Sequence, residues 1–133
     1  MSEKSEKAKE LFLSGHNCAQ AVLAIFCEKL GLDYDTAMKI SSSFGGGMGR
    51  MKEVCGTVSA MFMAAGLAYN TKENDKQAQY KIVQELAQNF KDRNNTIICR
   101  DLAKVPCPKL VEDSVEIFEE YLKEHKPQVA VNQ

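Results

Sequence analysis

The segment from Asn17 to Leu30, NCAQAVLAIFCEKL, is apolar over most of the circumference of a helix. Such a helix must be surrounded by other elements, because no side of it can be left facing water. Gly31 follows directly, and glycine is common just beyond the C-terminus of a helix. The sequence therefore predicts a central, buried helix around which the rest of the chain folds.

The rest of the chain also has a helical period and few strand signals. Apolar residues recur at helical spacing over the ranges 2–13, 35–43, 53–69, 73–91 and 109–125. Only NTIIC and the terminal VAVNQ resemble short strands. The pattern predicts an all-α fold: one bundle of five or six helices over 1–126, a Gly-rich loop before the fourth helix and a frayed tail over 127–133.

Composition excludes several classes of function. The net charge of −1 and isoelectric point near 6.1 give the chain no overall basic character, which disfavours nucleic-acid binding but leaves a local basic patch open. No apolar run approaches the roughly 18 residues that a membrane span needs. The polar N-terminus lacks the apolar core of a secretory signal, so we expect a cytoplasmic protein with reduced thiols.

Four of the five cysteines fall at or near predicted helix N-termini. Free backbone N–H groups and the helix dipole stabilise a thiolate there, which can bring a cysteine pKa from about 8.5 to about 3.5–7.5. Thiolates attack disulfides, reduce oxidants and bind soft metals. We expect these four thiols to form one site: Cys18 opening the central helix, Cys55 the fourth helix, Cys99 a short turn and Cys107 the last helix.

The fifth cysteine and a row of small residues concern packing. Cys27 lies nine positions after Cys18, half a turn out of phase, and we interpret it as a core residue. Gly56, Ala60 and Ala64 recur every four residues, a spacing that lets another helix approach closely. If that neighbour is the central helix, the contact brings Cys18 towards the fourth helix.

The segment FGGGMGR, residues 44–50, holds four of the eight glycines of the chain. Its glycines, Gly45, Gly46, Gly47 and Gly49, allow positive φ and close backbone approach. The segment is not a phosphate-binding P-loop, since no GxxxxGK[ST] and no preceding strand are present. Three uses stay open: a plain connection, a turn that positions Cys55, or an anion-binding loop assisted by Arg50.

These motifs together resemble the C_GCAxxG_C_C family, which is described as redox-active. The resembling stretches are NCAQAV from Asn17, FGGGMGR, Cys55-Gly56, CRDL from Cys99, and LVED after Cys107. The resemblance implies that Cys18, Cys55, Cys99 and Cys107 are the four cysteines of the family, with Cys27 outside the pattern. Thr57 stands where the family has Ala, and Ala60 where it has Gly.

Three functions compete at this point. The first is a metal centre held by the four cysteines, either an iron–sulfur cluster for electron transfer or redox sensing, or the less favoured zinc. The second is a cofactor-free thiol–disulfide oxidoreductase or peroxide-reducing enzyme, with Cys55 attacking and Cys99 and Cys107 as a pair. The third is a structural helical domain. His16 is interpreted as a solvated loop residue rather than a ligand, and the sequence names no redox partner and leaves a homo-oligomer open.

Overall fold

The chain folds as a single all-α domain, as predicted. The computed structural model describes residues 2–70 and 75–127. Of the helices in this part of the chain, none is both long and apolar enough to cross a membrane. The described helices are α1 Glu3–Leu13, α2 Cys18–Phe26, α3 Tyr34–Ser41, α4 Gly56–Tyr69, α5 Lys76–Asn94 and α6 Cys107–Glu124, with a 3₁₀ turn at Cys99–Leu102.

The boundaries of the central helix α2 follow from its capping residues. The Asn17 side chain accepts a hydrogen bond from the Gln20 N–H (2.8 Å), and the Gln20 side chain accepts from the Asn17 N–H (3.0 Å). The helix ends at Phe26, four residues earlier than Leu30, the predicted end. Gly31, with φ of +92°, reverses the chain there.

The fourth helix begins at Gly56 rather than at residue 53. Val54 pairs with Ile98 in an isolated antiparallel bridge, so the chain before Gly56 is extended. Cys55 is therefore the N-cap of α4 instead of a residue within its first turn. The NTIIC segment supplies the second side of this bridge. The other strand candidate, VAVNQ, and the predicted tail beyond Pro127 lie outside the described residues.

Small residues let α4 lie close against α2, as predicted from the sequence. A Cβ atom added to Gly56 would meet the Sγ of Cys18 at 2.6 Å and the Cβ of Ala19 at 3.4 Å. Ala60 and Ala64 are fully buried one and two turns further along α4. The start of α4 therefore lies directly against the start of α2.

Aromatic side chains fill the opposite end of the bundle. Phe26 and Phe118 meet edge to face with ring centroids 4.9 Å apart, and Tyr69 meets Tyr121 in the same way at 5.6 Å. Tyr121 also stacks on His125, the C-cap of α6, at 4.1 Å. This end of the molecule, where α2, α4 and α6 finish, is closed by large rings.

Polar contacts fix the first turns of α6 against the end of α5. The buried Asp113 carboxylate accepts hydrogen bonds from Lys109 (2.6 Å), Arg93 (3.2 Å) and Asn94 (3.2 Å). Burial strengthens such contacts relative to exposed ion pairs, because less water competes for the charged atoms. The network lies within two turns of Cys107 and so holds the start of α6 in place.

Candidate functional site

A cleft of about 1010 Å³ lies where the starts of α2, α4, α6 and the 3₁₀ turn meet. Its walls contain six of the eight glycines of the chain, so backbone segments can approach one another closely at this end of the bundle. The structure also brings the predicted cysteines to this cleft from four separate parts of the chain. They are Cys18, Cys55, Cys99 and Cys107.

The isolated bridge brings together the segments that carry two of these cysteines. The Cys55 N–H donates to the Ile97 carbonyl (2.8 Å), and the Cys99 N–H donates to the Glu53 carbonyl (2.6 Å). Side chains alternate along extended backbone, so Cys55 and Cys99 lie on the same face of the bridge. Two segments more than forty residues apart in sequence thus deliver their sulfurs to the same wall.

The glycine-rich segment forms a left-handed turn against this wall. Five consecutive residues, from Gly46 to Arg50, have φ between +65° and +73°. The N–H groups of Lys52 and Glu53 bond to the carbonyls of Gly46 and Gly47, so the turn is closed by backbone hydrogen bonds. Left-handed backbone costs about 1–2 kcal/mol per non-glycine residue, and glycine removes most of that cost.

Two glycines of this turn are also required by space. A Cβ atom on Gly47 would lie 2.7 Å from the Cβ of Cys99, and one on Gly45 would lie 2.7 Å from the Cβ of Asn17. The turn therefore packs directly on one cysteine and on the residue that precedes Cys18. Gly45, Gly46, Gly47, Gly49 and Arg50, the predicted loop residues, all line the cleft.

The two inner thiols are more basic than the sequence led us to expect. Burial raises the pKa of Cys55 to about 11 and also raises the pKa of Cys18. The backbone amide of Gly46 acts against the rise at Cys18, as do the hydroxyl and amide of Thr57 at Cys55. The predicted low pKa at helix starts is wrong for these two thiols, because desolvation outweighs the amides.

The electrostatic coupling between the thiols reflects how close they lie. Negative charge on Cys107 and on Cys99 raises the pKa of Cys18, and charge on Cys18 raises that of Cys55. The Thr57 hydroxyl lies 3.1 Å from the Cys55 sulfur, so one of the two residues that differ from the family pattern contacts a cleft thiol directly. Cys18 thus interacts electrostatically with each of the other three cleft cysteines.

Exposure divides the cleft thiols into an inner and an outer pair. Cys18 and Cys55 are buried, Cys99 is partly exposed, and Cys107 is exposed. All five cysteines of the chain have free thiols. Cys27 is fully buried away from the cleft, with its thiol 3.7 Å from the Ala24 carbonyl, so its prediction as a core residue is confirmed.

His16 lines the cleft, but both of its ring nitrogens are engaged. Its Nδ1 lies 3.2 Å from the Leu11 carbonyl, which can only accept, so this nitrogen carries the proton. Its Nε2 then accepts from the Tyr34 hydroxyl at 2.9 Å. The ring is held by protein groups rather than presented as a ligand, and it is not the freely solvated residue that we expected.

The charged groups of the cleft are all cationic. Arg50, Lys52 and Arg100 line it, and no carboxylate appears among its described lining residues. Arg100 also lies 3.7 Å from Glu53 in an exposed ion pair, and Glu53 does not line the cleft. The cleft therefore favours negative charge on whatever occupies it.

Among residues 2–70 and 75–127, no group of three or more His, Cys, Asp or Glu side chains is arranged to hold a single metal ion. A structural zinc ion needs four ligands within about 2.3 Å of one point, and the thiols do not fit that requirement. Four thiols line the open cleft, and backbone amides lie beside two of the sulfurs, those of Cys18 and Cys55.

Part of the cleft wall was not anticipated from the sequence. Phe12 and Gly15, at the end of α1, and Leu110, in α6, line the cleft. Gly15, with φ of +121°, ends α1 and turns the chain towards Cys18, a role typical of glycine after a helix. Gly15 is therefore the sequence signal that could have predicted that the end of α1 forms part of the cleft wall.

Comparison with protein families gives one match, over residues 16–121, to the family described as "Putative redox-active protein (C_GCAxxG_C_C)". The matched range contains the four cleft cysteines and the whole left-handed turn. No similar curated protein and no similar solved structure are found.

Proposed function

This chain belongs to the C_GCAxxG_C_C family, and we propose that it is a redox protein whose cleft cysteines hold an iron–sulfur cluster. The ligands in this proposal are Cys18, Cys55, Cys99 and Cys107. The observation that carries it is the meeting of these four thiols, from four separate segments, in one cleft beside a left-handed glycine turn.

The donor set favours a cluster over a single ion. Four thiolates are the usual complement of [2Fe–2S] and [4Fe–4S] clusters, whose ligands stand further apart than those of one zinc ion. A bound cluster supplies one-electron transfer. The presence of four thiols on one cleft supports this choice.

The residues around the sulfurs have definable tasks. The amide of Gly46 favours the thiolate of Cys18, and the hydroxyl and amide of Thr57 favour that of Cys55. Such donors lower the cost of placing negative sulfur in a buried position and adjust reduction potential. Arg50, Lys52 and Arg100 add positive charge around the cleft.

The raised pKa values of the inner thiols have a consequence for assembly. Since a coordinating thiol must lose its proton, loading of the metal-free protein releases protons and is favoured by rising pH. Because burial raises the pKa of Cys55 to about 11, this dependence should extend through the mildly alkaline range.

The test is anaerobic purification followed by measurement of iron, acid-labile sulfide and visible charge-transfer absorption. We expect brown protein with iron and sulfide in equal amounts. Four single variants, Cys18→Ser, Cys55→Ser, Cys99→Ser and Cys107→Ser, should each lose most of this content. Cys27→Ser is the matched control, because its thiol is buried away from the cleft, and it should keep the content of the parent.

A colourless protein that cannot be reconstituted with iron and sulfide would contradict the proposal, as would equal loss in Cys27→Ser and the four cleft variants. Zinc at one ion per chain, removed by the same four substitutions, would identify a different centre. Circular dichroism of each metal-free variant separates loss of ligand from loss of fold.

The exposure of the outer thiols supports a second candidate, a dithiol enzyme. Here the Cys107 thiolate attacks a substrate disulfide or peroxide, which forms a mixed disulfide or a sulfenic acid and releases the first thiol or the alcohol. The Cys99 thiolate then attacks the Cys107 sulfur and expels the second thiol or water, leaving a disulfide between the two cysteines. The protein gives up two electrons to the substrate, which leaves as two thiols, or as water and alcohol. Burial and a pKa of about 11 make Cys55 unsuited to the attacking role that we first assigned to it.

Alkylation of the metal-free protein tests this candidate. A pKa raised from 9.0 to about 11 leaves about a hundredfold less thiolate at neutral pH. Cys55 should therefore react at least about a hundredfold more slowly in the folded protein than in the unfolded chain, where its burial is lost, and its rate should keep rising up to about pH 11. The exposed Cys107 should react faster than the buried Cys55. Equal rates at the two thiols would contradict this reading of the cleft.

A further inference from the structure

Two exposed methionines lie within and directly after the left-handed turn, next in sequence to residues that line the cleft. Met48 is 38% exposed and Met51 is 66% exposed. Methionine side chains are flexible and polarisable, and they are used at surfaces that meet several partners. A pair of them on one short turn next to a thiol cleft is an apolar contact surface with no covering element among the described residues.

Positive charge surrounds these methionines. The segments 48–53 and 99–104 hold four cations, Arg50, Lys52, Arg100 and Lys104, against two carboxylates, Glu53 and Asp101. The chain as a whole carries a net charge of −1, so this region has the opposite sign to the molecule. Such an asymmetry steers acidic partners to one face.

The backbone gives a separate reason to regard these side chains as functional. Met48, Arg50 and Lys52 have φ of +65°, +65° and +64°. Each non-glycine residue in this conformation lowers the stability of the fold by about 1–2 kcal/mol. The other residues of the turn with positive φ are glycines, which avoid most of this cost. Strained positions of this kind cluster at sites where the side chain is needed. Met48, Arg50 and Lys52 alternate along the chain in this left-handed conformation. Each of them contributes a charged or an apolar side chain to this part of the surface.

We propose that this surface, consisting of Met48, Arg50, Met51, Lys52 and Arg100, is the docking site for an acidic electron-carrier protein. The inference rests on the proposed redox function of the cleft. The methionines would form the apolar centre of the contact and the cations its rim, as at other protein interfaces. A small anion would contact the cations and amides alone, whereas a protein partner with its own apolar face would also bury the exposed methionines.

The test uses two proteins of opposite charge as probes, an acidic plant-type [2Fe–2S] ferredoxin and the basic cytochrome c. Each is titrated at low salt into the ¹⁵N-labelled protein as purified, with its iron and sulfide content measured separately. Ferredoxin should shift the amide signals of residues 48–52 and 100 and bind in the micromolar range. Raising the salt to about 0.2 M should weaken binding by about tenfold or more, because exposed charges are screened.

Charge variants locate the surface. Arg50→Gln, Lys52→Gln and Arg100→Gln combined should weaken ferredoxin binding at least about tenfold, and Met51→Ser a few-fold. The matched control combines Lys76→Gln, Lys81→Gln and Lys91→Gln, which remove the same charge from exposed positions of α5 outside the cleft. It should change the affinity less than about twofold.

Three results would overturn the inference: equal weakening by both triple variants, tighter binding of cytochrome c than of ferredoxin, or no shift at residues 48–52. Each result is independent of the iron measurement. Protein without a cluster that still binds ferredoxin on this surface would contradict the proposed function alone. A loaded protein that does not bind it would contradict the docking site alone.

Discussion

The two ends of the bundle hold α2 and α4 together by different means. At the cleft end, the helices start with cysteines and glycines, and the backbones approach so closely that a Cβ on Gly56 would meet the Cys18 sulfur. At the far end, aromatic rings such as Phe26 and Tyr69 fill the space where the same helices finish. One end brings backbone amides to sulfur, and the other buries apolar area.

Cysteine shows what this difference means chemically. Cys27, just after the end of α2, is a fully buried side chain of the hydrophobic core, with its thiol 3.7 Å from the Ala24 carbonyl. The cleft cysteines differ in that they interact with one another and, at Cys55, with the Thr57 hydroxyl. The same residue type is a space-filling group at one end and a member of a group of neighbouring cleft thiols at the other. Position relative to the helix starts separates the two roles.

The largest effect should come from Gly47→Ala. The new methyl group adds left-handed strain of about 1–2 kcal/mol to a clash with Cys99 and with backbone, and overpacking of that kind costs about 1–3 kcal/mol. We expect the free energy of unfolding to fall by about 2–5 kcal/mol in urea denaturation, and the thiol site to be disturbed with it.

Gly31→Ala at the far end is the control for Gly47→Ala. Gly31 also has positive φ, +92°, but an added Cβ would meet nothing within 4 Å. Only the strain of about 1–2 kcal/mol should appear. If the two variants lose the same stability, the close contact between the turn and Cys99 does not constrain the cleft end.

The second prediction compares two glycines of α4. Gly56→Ala at the cleft end should cost about 1–3 kcal/mol, because the methyl group meets both Cys18 Sγ and the Phe44 carbonyl. Gly66→Ala, ten residues further along the same helix, meets nothing within 4 Å and should gain up to about 1 kcal/mol from better helix propensity. Thermal unfolding of the metal-free proteins measures both. Destabilisation by Gly66→Ala, or none by Gly56→Ala, would remove the distinction between the ends.

The helices and their packing could be predicted from the sequence, whereas the properties of the cleft thiols and the shape of the glycine turn could not. Helical periodicity located the bundle, and the row Gly56, Ala60, Ala64 correctly placed α4 against α2, because both signals are local. The order of the thiol pKa values could not be derived in the same way. The amides around Cys55 belong to its own helix, but its burial depends on segments that are distant in sequence. Burial has the larger effect and raises the pKa of the thiol. The left-handed turn was hidden for a similar reason, since glycine permits positive φ without requiring it.

The smallest expected effect concerns Thr57, the residue that differs from the family pattern beside the cleft thiol. Its hydroxyl lies 3.1 Å from the Cys55 sulfur and acts to lower the pKa of that thiol against the effect of burial. Thr57→Ala removes one hydrogen bond of about 0.5–1.5 kcal/mol, so alkylation of Cys55 in the metal-free protein should slow by about two- to tenfold. Thr57→Ser keeps the hydroxyl and should retain most of the parent rate. Equal slowing by both variants would mean that Thr57 acts by filling space, as residues do at the far end, rather than by adjusting the sulfur.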